Sequence, residues 1–167
     1  MAYYKQWNSI VNKVFELIRN NDKLLRYISN AAPNPYDEVA SRWSDIYLKN
    51  GFPMPREADS VGDQKTFVNV YMGYSNPPEG NPYFSEDFLY IEVGCYLDCW
   101  PLENGEVRPY SVCSMIDAMI DNKTIGDMSI KKVTPLSTKV IRFGDMYYGY
   151  RMNYSLSNMG GVDCGLS

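Results

Sequence analysis

Carboxylates, cysteines and tyrosines are the residues of this chain that could do chemistry, because the sequence contains no histidine. Histidine is the usual general base near neutral pH and the commonest protein ligand for metals. Its absence leaves open enzymes that work with carboxylates, cysteine, lysine or tyrosine. Evidence for such an enzyme has to come from the spacing of its carboxylates, cysteines, lysines or tyrosines.

Two carboxylate pairs can be drawn around Asp98, one with Glu92 and one with Glu103. Asp98 and Glu92 fall on one face of a predicted strand, and their separation in sequence corresponds to about 20 Å. The two carboxylates of a glycosidase lie only about 5 to 9.5 Å apart. The sequence therefore predicts no catalytic residue, and we expect that the chain is not an enzyme.

The cysteines do not follow a metal-binding or redox pattern. Cys95 and Cys99 lie about 13 Å apart along a predicted strand, which is too far to form a disulfide or to share one ion. Together with Cys113 and Cys164 they include no Cys-x-x-Cys pair of the kind that holds zinc. Cys164 has no histidine to activate it as a nucleophile. We expect reduced, buried thiols, no metal site and no cofactor.

Charge is distributed unevenly along the 167 residues. Residues 57–121 contain two Lys/Arg and twelve Asp/Glu, a net charge of −10, whereas residues 1–56 and 122–167 each carry +3. One interpretation is a set of solvated acidic loops. The other is an acidic surface that makes charge-complementary contacts with copies of the chain. The carboxylates that could form this surface are Glu79, Glu86, Asp87, Asp98, Glu103 and Glu106.

Helical periodicity characterises the first third of the chain. A helix is predicted over Tyr4–Asn20, followed by a short one that Asp22 could cap. A further helix is predicted to start at Asn34 as N-cap and to end near Gly51, and residues 52–65 are predicted to be a surface loop. The side chains predicted to share one face of this third helix are Val39, Trp43, Ile46 and Tyr47.

Alternating hydrophobicity predicts strands in the remainder, interrupted by one amphipathic helix. This order predicts an α+β fold, in which a small antiparallel sheet of about four strands has helices packed on one face and follows N-terminal helices. We expect a single domain, with a helical part over 1–64, a sheet-and-helix core over 65–157 and a loose tail over 158–167. The predicted elements are strands Lys65–Tyr74 and Glu86–Trp100, a helix that Arg108-Pro109 opens, a strand Met128–Phe143 broken near Pro135, and a strand Tyr147–Leu156.

The predicted strand Glu86–Trp100 is hydrophobic on both faces. Leu89, Ile91 and Val93 alternate with aromatic residues, and one small helix cannot cover both faces of a sheet. Tyrosine and tryptophan are enriched in the cores of protein interfaces. The candidate subunit contacts are therefore Phe67, Tyr71, Tyr90, Tyr96, Trp100 and Tyr147. The alternative is that the N-terminal helices cover these side chains.

Three segments of the chain resemble the tail-terminator and tail-completion proteins of tailed bacteriophages. They are the opening helix with its NNDKLLRYI turn, the strand FLYIEVGCYLDCW after a wide hairpin, and the helix YSVCSMIDAMIDN that leads into MYYGYRMNYSL. The resemblance covers most of residues 4–156 and is architectural. An insertion at 34–64 departs from the shortest members of this group.

The resemblance implies a structural virion protein of the neck or tail, in the head-to-tail connector region. Such a protein forms a ring of six or twelve copies around the DNA path, between adjacent portal, adaptor or tail ring proteins, and lies close to DNA without binding it specifically. In such a ring, the six carboxylates named above would line or rim the DNA path and repel its phosphates. The abundance of Tyr and Asn, whose codons are AT-rich, fits an AT-rich genome, and crAss-like short-tailed phages are one candidate source. The resemblance also implies assembly in the host cytoplasm, which agrees with the absence of a secretory signal or a bilayer-length apolar run. The isolated chain is expected to be monomeric or weakly associated, with ring closure requiring its neighbours.

Two other functions remain open from the sequence. A nucleic-acid-binding module could stack bases on surface aromatic residues, although residues 57–121 carry only Lys65 and Arg108 as basic residues. A small non-viral partner-binding protein is the other alternative, and a monomer that never forms rings would favour it.

Overall fold

A computed structural model describes residues 2–39, 41–55, 66–74, 87–121 and 131–158. These residues form four helices and five strands, and the five strands make one sheet. This arrangement confirms the predicted α+β class. The elements are α1 (Ala2–Arg19), α2 (Asp22–Ser29), α3 (Trp43–Ile46), β1 (Gly51–Phe52), β2 (Thr66–Tyr74), β3 (Asp87–Tyr96), α4 (Arg108–Ile120), β4 (Lys131–Arg142) and β5 (Tyr147–Asn158).

The strands are arranged in the order β1-β2-β3-β5-β4. β1 runs parallel to β2, and every other neighbouring pair is antiparallel. The registers align residues in rows that cross β2, β3, β5 and β4, and successive rows face opposite sides of the sheet because side chains alternate along a strand. One such row contains Val68, Val93, Tyr150 and Val140.

One face of the sheet lies under α1, α2 and α4 and forms the main core. Helix α4 shows why it packs there, since Val112, Ile116 and Ile120 recur every four residues and are each 0% exposed. They meet the apolar sides of β3 and β5 in one buried cluster. The strand residues of that cluster are Val68, Val70, Leu89, Ile91, Val93, Val133, Met152, Tyr154 and Leu156.

The N-cap of α2 is Asn21 rather than Asp22, which was the predicted cap. The Asn21 side-chain oxygen accepts from the Leu24 backbone N–H at 3.0 Å, as an N-cap does. Asp22 is the first helical residue and pairs with Arg26 at 2.9 Å. This leaves the carboxylate near the positive end of the helix dipole.

Arg108, at the start of α4, is 0% exposed and joins three segments of the chain. Its guanidinium donates to the backbone carbonyls of Cys99 at 2.7 Å, Tyr27 at 3.0 Å and Asn30 at 2.6 Å. It also donates to the carbonyls of Ala31 and Ala32. Burial lowers the pKa of Arg108, while the carbonyls at the C-terminal end of α2 favour the positive charge.

The predicted helix from Asn34 to Gly51 is wrong over most of its length. The Asn34 side-chain oxygen accepts from the Tyr36 N–H at 3.0 Å, which makes a turn instead of capping a helix. Only Trp43–Ile46 is helical, and Tyr47 follows it in an extended conformation. The same amide chemistry that suits an N-cap also closes this kind of turn, and the sequence does not distinguish them.

Two strand boundaries also differ from prediction. Gly51–Phe52 forms β1 beside β2, whereas Gly51 was predicted to end a helix and Phe52 to begin a surface loop. β3 ends at Tyr96, and Leu97–Cys99 forms a 3₁₀ turn, so the strand predicted to reach Trp100 is too long. The turn is held because the Trp100 indole donates to the Cys95 carbonyl at 3.1 Å and Arg108 binds the Cys99 carbonyl.

The predicted break near Pro135 is confirmed, because the β4–β5 register shifts between Pro135 and Ser137. Three predicted segments lie wholly or mostly outside the described residues. They are the hairpin connection SNPPEGNPYF over 75–84, the loop over 52–65 and the tail over 158–167. Among the described helices, none combines the length and apolar character needed to cross a membrane.

Candidate subunit interface

The side of the sheet opposite the helices is the surface that could bind another molecule, and we call it the open face. Buried side chains also cluster on this side, but within the described ranges all of them come from strands or the turns beside them, and none from a helix. Sheets with one face in the core and the other toward solvent usually place polar residues outside. Here the open face is instead largely aromatic and half-buried. Its side chains include Phe67, Asn69, Tyr71, Phe88, Tyr90, Glu92, Tyr96, Arg151, Asn153 and Lys139.

One end of the open face is closed by an aromatic cluster. Phe67 lies edge-on to Phe143, with ring centroids 5.0 Å apart, and 6.0 Å from Tyr147. Phe52 of β1 completes this cluster. Gly94 leaves room for it, because a Cβ atom at that position would lie 2.2 Å from the Phe67 ring. The chain itself therefore covers this end of the open face.

The centre of the open face is an ion pair with two further hydrogen bonds. Glu92 is 2% exposed, and its Oε1 accepts from Arg151 Nε at 2.8 Å, Arg151 Nη2 at 2.6 Å and the Tyr71 hydroxyl at 2.7 Å. Asn69 Nδ2 donates to the other oxygen at 2.9 Å. A buried carboxylate is stable only when it is paired and hydrogen-bonded in this way.

Aromatic rings flank this ion pair on the side away from the closed end. The Tyr71 and Tyr90 rings stack 5.3 Å apart, and Phe88 lies 6.4 Å from Tyr90. The Arg151 guanidinium lies 6.0 Å from the Tyr90 ring centroid. Burial, and then the hydrogen bond to Glu92, raise the pKa of Tyr71, so this hydroxyl stays a donor at neutral pH. The centre is thus a flat, preorganised surface of rings around a neutralised charge pair.

The structure separates the six predicted contact residues into three groups. Phe67 and Tyr147 are 2% and 3% exposed, so the chain itself covers them. Tyr71, Tyr90 and Tyr96 are half-buried on the open face. The sixth residue, Trp100, lies beyond the end of β3 and is half-buried, with its indole bound to the Cys95 carbonyl.

The predicted acidic surface is divided as well. Asp87 is removed from it, because the register turns this residue to the helix side, where it is 5% exposed and accepts from the Trp7 indole at 3.2 Å. Asp98, Glu103 and Glu106 are exposed and lie between β3 and α4. Glu79 and Glu86 lie outside the described residues.

Glu106 is held in its charged form by a local hydrogen bond. The Ser111 hydroxyl donates to Glu106 at 2.9 Å, and this bond lowers the pKa of the Glu106 carboxyl. The position of the three exposed acids follows from Leu97, which lies between β3 and Asp98. The Leu97 backbone N–H donates to the carbonyl of Met146, in the turn before β5, at 3.0 Å. The acids therefore begin at the end of the sheet that carries the aromatic cluster.

Sequence reasoning missed the Glu92–Arg151 pair, which organises the open face. The available signal was the position of Glu92 inside an otherwise apolar and aromatic strand, since a charged residue there needs a partner. Identifying Arg151 as that partner requires the β3–β5 register, in which the two residues are directly opposite. Spacing within one strand does not provide it.

Other groups in the described part of the chain offer less chemistry. No cluster of three or more Cys, Asp or Glu there could hold a metal ion. Cys95, Cys99 and Cys113 are free thiols, and burial raises the pKa of both Cys95 and Cys113 to about 12. A cleft of about 320 Å³ lies between α1 and α3. Its lining residues are Asn12, Phe15, Glu16, Arg19, Trp43 and Tyr47.

The chain was compared with protein families and with curated proteins. The family model YomW matches residues 21–156, which is well over half of the 167-residue chain. YomW is the kind of name given to phage-like proteins of Bacillus, and the match indicates a phage-associated protein. No curated protein matches the chain. The matched range contains the whole open face, together with α2 and α4.

Proposed function

This chain belongs to the YomW family, and on that premise we propose that it is a structural protein of the phage particle. In this proposal, copies of the chain form a ring in the neck or tail, which joins or terminates the tail at the head and surrounds the DNA path. Adjacent portal, adaptor or tail ring proteins contact the ring on either side. The chain contributes surfaces to this assembly and no catalysis.

The open face supports this proposal more than any other observation. Tyr71, Tyr90 and Phe88 leave a contiguous aromatic surface half-exposed around the Glu92–Arg151 pair. Large exposed apolar patches on soluble proteins commonly mark interaction sites. Tyr, Trp and Arg are also the residue types that dominate binding energy at interfaces.

The preorganisation of the open face favours a permanent contact. Glu92 and Arg151 are already paired, so a partner can cover them without leaving a buried charge unmatched. Tyr71 and Tyr90 are already stacked, so little side-chain entropy is lost when they are covered. A ring requires each copy to present two different surfaces to its neighbours. The open face is our candidate for one of them.

The exposed acids suit the part of the ring nearest to DNA. Asp98, Glu103 and Glu106 are exposed in one short segment. Lysine and arginine that neutralise phosphates make binding tight and strongly salt-dependent. A surface with carboxylates in their place would let DNA pass without being held, which is what a conduit requires.

The assembly state of the chain tests the proposal. Wild-type protein would be studied by mass photometry and negative-stain electron microscopy, alone and after addition of the portal and tail proteins of the same phage. We expect closed rings of six or twelve copies, at least with the neighbours present. Mass spectrometry of purified particles should detect the chain in a constant ratio to the portal protein.

A variant and a matched control connect the ring to the open face. Tyr90→Glu places a second carboxylate beside Glu92 at the centre of the open face and should prevent ring formation. Tyr36→Glu changes a tyrosine that is 54% exposed and lies outside the sheet, and it should leave rings intact. Circular dichroism would confirm that both variants fold. A wild-type chain that stays monomeric with all neighbours and is absent from particles contradicts the proposal.

A further inference from the structure

Strand β4 gives the sheet one long edge without a neighbouring strand in the described residues. Its inner side pairs with β5 from Lys131 to Arg142. The opposite edge of the sheet is different, because β1 is two residues long and is followed by Pro53 and Pro55, which have no N–H to donate. An unpaired edge is a template for a further strand unless something blocks it.

The first half of β4 is blocked, and the second half is not. Pro135 and the register shift that follows it interrupt the ladder, which is how natural edge strands avoid unwanted pairing. From Ser137 to Arg142 the pairing with β5 is regular. These six residues are extended, exposed or partly exposed, and long enough to accept another strand.

On the helix side, this edge presents an apolar ledge. Val140 is 69% exposed and lies opposite Tyr150 in register. The Tyr150 hydroxyl donates to the hydroxyl of Tyr110, which is 55% exposed, at 3.0 Å. The Tyr110 and Tyr150 rings lie 5.2 Å apart. A strand added beside β4 would place every second side chain against Val140 and these two rings.

On the open-face side, the edge presents positive charge. Lys139 lies opposite Arg151, whose charge Glu92 already neutralises, and no ion pair to Lys139 occurs among the described residues. β4 contains no acidic residue. Antiparallel pairing of two β4 edges with Lys139 opposite its own copy would bring these two lysines together, and like charges on neighbouring strands are destabilising. Arg142 is not part of this charge, because it lies on the helix side and pairs with Asp145 at 2.6 Å. A second copy of β4 is therefore a poor occupant of this edge.

We propose that β4, from Ser137 to Arg142, binds an extended acidic segment of a different protein by strand addition. Acidic side chains of that segment lie on the open-face side, opposite Lys139. Apolar side chains alternate with them and lie against Val140 and Tyr110. The main-chain hydrogen bonds supply affinity, and the alternation of side chains supplies specificity. This contact shares only Lys139 with the open face and otherwise uses the β4 edge and the helix side, so the isolated chain is sufficient to test it.

Synthetic peptides test the backbone and charge components separately. The probe is a fluorescein-labelled eight-residue peptide of alternating valine and glutamate, and binding to the wild-type chain is measured by fluorescence anisotropy. A peptide of alternating valine and lysine should bind at least tenfold more weakly. Two further peptides carry backbone N-methyl groups, one on all valines and the other on all glutamates. Because the N–H groups of alternate residues point to the same edge of a strand, each peptide loses the hydrogen-bond donors of one edge only. One of these two should lose binding at least tenfold, and the other should retain it.

Protein variants locate the site. Lys139→Glu should weaken binding of the glutamate peptide at least tenfold and improve binding of the lysine peptide. Lys49→Glu is the matched control, since Lys49 is an exposed lysine in the turn before β1, and it should change neither. Hydrogen exchange of the amides from 137 to 142 should slow at least fivefold when the glutamate peptide is bound.

Several outcomes would overturn the proposal. One is no binding of the glutamate peptide at millimolar concentration. Equal binding of both N-methylated peptides would show charge attraction without strand addition. Equal effects of Lys139→Glu and Lys49→Glu would place the peptide elsewhere. A wild-type dimer that Val140→Lys dissociates would show that a second copy occupies this edge.

Discussion

Glu92 and Arg151 lie directly opposite each other on β3 and β5, and both Nε and Nη2 of Arg151 donate to the same carboxylate oxygen. The Glu92 side chain is 3% exposed and that of Arg151 is 36% exposed. The carboxylate thus depends on its protein partners for the solvation that it loses on folding. The arginine retains contact with water.

Removal of the Glu92 charge should destabilise the fold. Glu92→Gln leaves Arg151 unpaired and weakens the bonds from Tyr71 and Asn69, because hydrogen bonds to a charged acceptor are stronger than bonds to an amide. We expect the free energy of unfolding to fall by about 2 to 3 kcal/mol. Urea denaturation followed by circular dichroism measures this change.

A double variant provides the control for this prediction. Glu92→Leu with Arg151→Met replaces the pair by apolar side chains and should be less destabilised than Glu92→Leu alone. If Glu92→Gln matched wild type in stability, the ion pair would have no net structural role.

Arg108 should be more sensitive to substitution than any exposed arginine. Arg108→Met removes five hydrogen bonds to backbone carbonyls and leaves those acceptors without the guanidinium. We expect a loss of about 3 to 5 kcal/mol in unfolding free energy. Arg108→Lys should recover part of this loss, since an ammonium has three donors. Arg42→Met, at an exposed arginine, should change stability by less than about 0.5 kcal/mol. Thermal and urea denaturation measure the stabilities of the three variants. Equal stabilities would contradict a special structural role for the Arg108 guanidinium.

Gly149 is required by the close approach of β5 to β3. A Cβ atom at this position would lie 1.8 Å from the Val93 carbonyl oxygen, which is backbone and cannot move aside. Gly149→Ala should therefore separate the two strands and cost about 3 kcal/mol or more, or prevent folding.

Gly73→Ala is the matched control for this glycine. Its new Cβ would meet a ring atom of Tyr90 at 2.7 Å, and this half-buried side chain can move. We expect a smaller loss for Gly73→Ala than for Gly149→Ala in the same urea denaturation. The reverse order would show that the β3–β5 contact is looser than the structure indicates.

Alkaline pH should destabilise the fold through its buried thiols. Burial raises the pKa of Cys95 from an ordinary value of 9.0 to about 12. Below about pH 9 this thiol is protonated in both states, so its contribution to stability is fully present. Between pH 9 and 12 the unfolded chain releases a proton that the folded chain retains, and the unfolding free energy falls by about 1.4 kcal/mol per pH unit for such a group.

Comparison with Cys95→Ala isolates this contribution. The variant should show a shallower loss between pH 9 and 12, although Cys113 and Tyr150, whose pKa values are each raised to about 12, still contribute. Urea denaturation at steps of half a pH unit measures both slopes. Identical slopes for variant and wild type would contradict burial as the cause.

Periodicity was sufficient to predict the elements that form the core. The apolar stripe of Val112, Ile116 and Ile120 identifies α4, and strict alternation from Leu89 to Cys95 identifies β3, because each pattern matches the geometry of its element. Periodicity was insufficient where a polar side chain can make the same hydrogen bond in two different backbone structures. Asn34 could cap a helix or close a turn, and the buried Asn30 side chain favours the turn by donating to the Pro35 carbonyl at 2.7 Å.

The candidate site was predictable in kind and less so in detail. Alternation placed Tyr71 and Tyr90 on the side of their strands opposite the apolar side chains, and the β2–β3 register confirms that the two share one face. It could not show that Phe52 and Phe143 cover Phe67, because β1 contains two residues and carries no periodic signal. Alternation does put Asp87 on the same face as Leu89, but it could not show what makes burial there acceptable, since the Trp7 donor lies 80 residues away in the chain.

The carbonyls bound by Arg108 belong to residues 27–32 and to Cys99, so one guanidinium closes the end of α2 while anchoring α4. A cut between the N-terminal helices and the sheet would leave the first piece with bare carbonyls and the second with a solitary buried cation. Neither piece has a reason to stay folded without the other. Truncated versions of this chain are therefore poor substitutes for the whole, and the molecule should melt in one cooperative step.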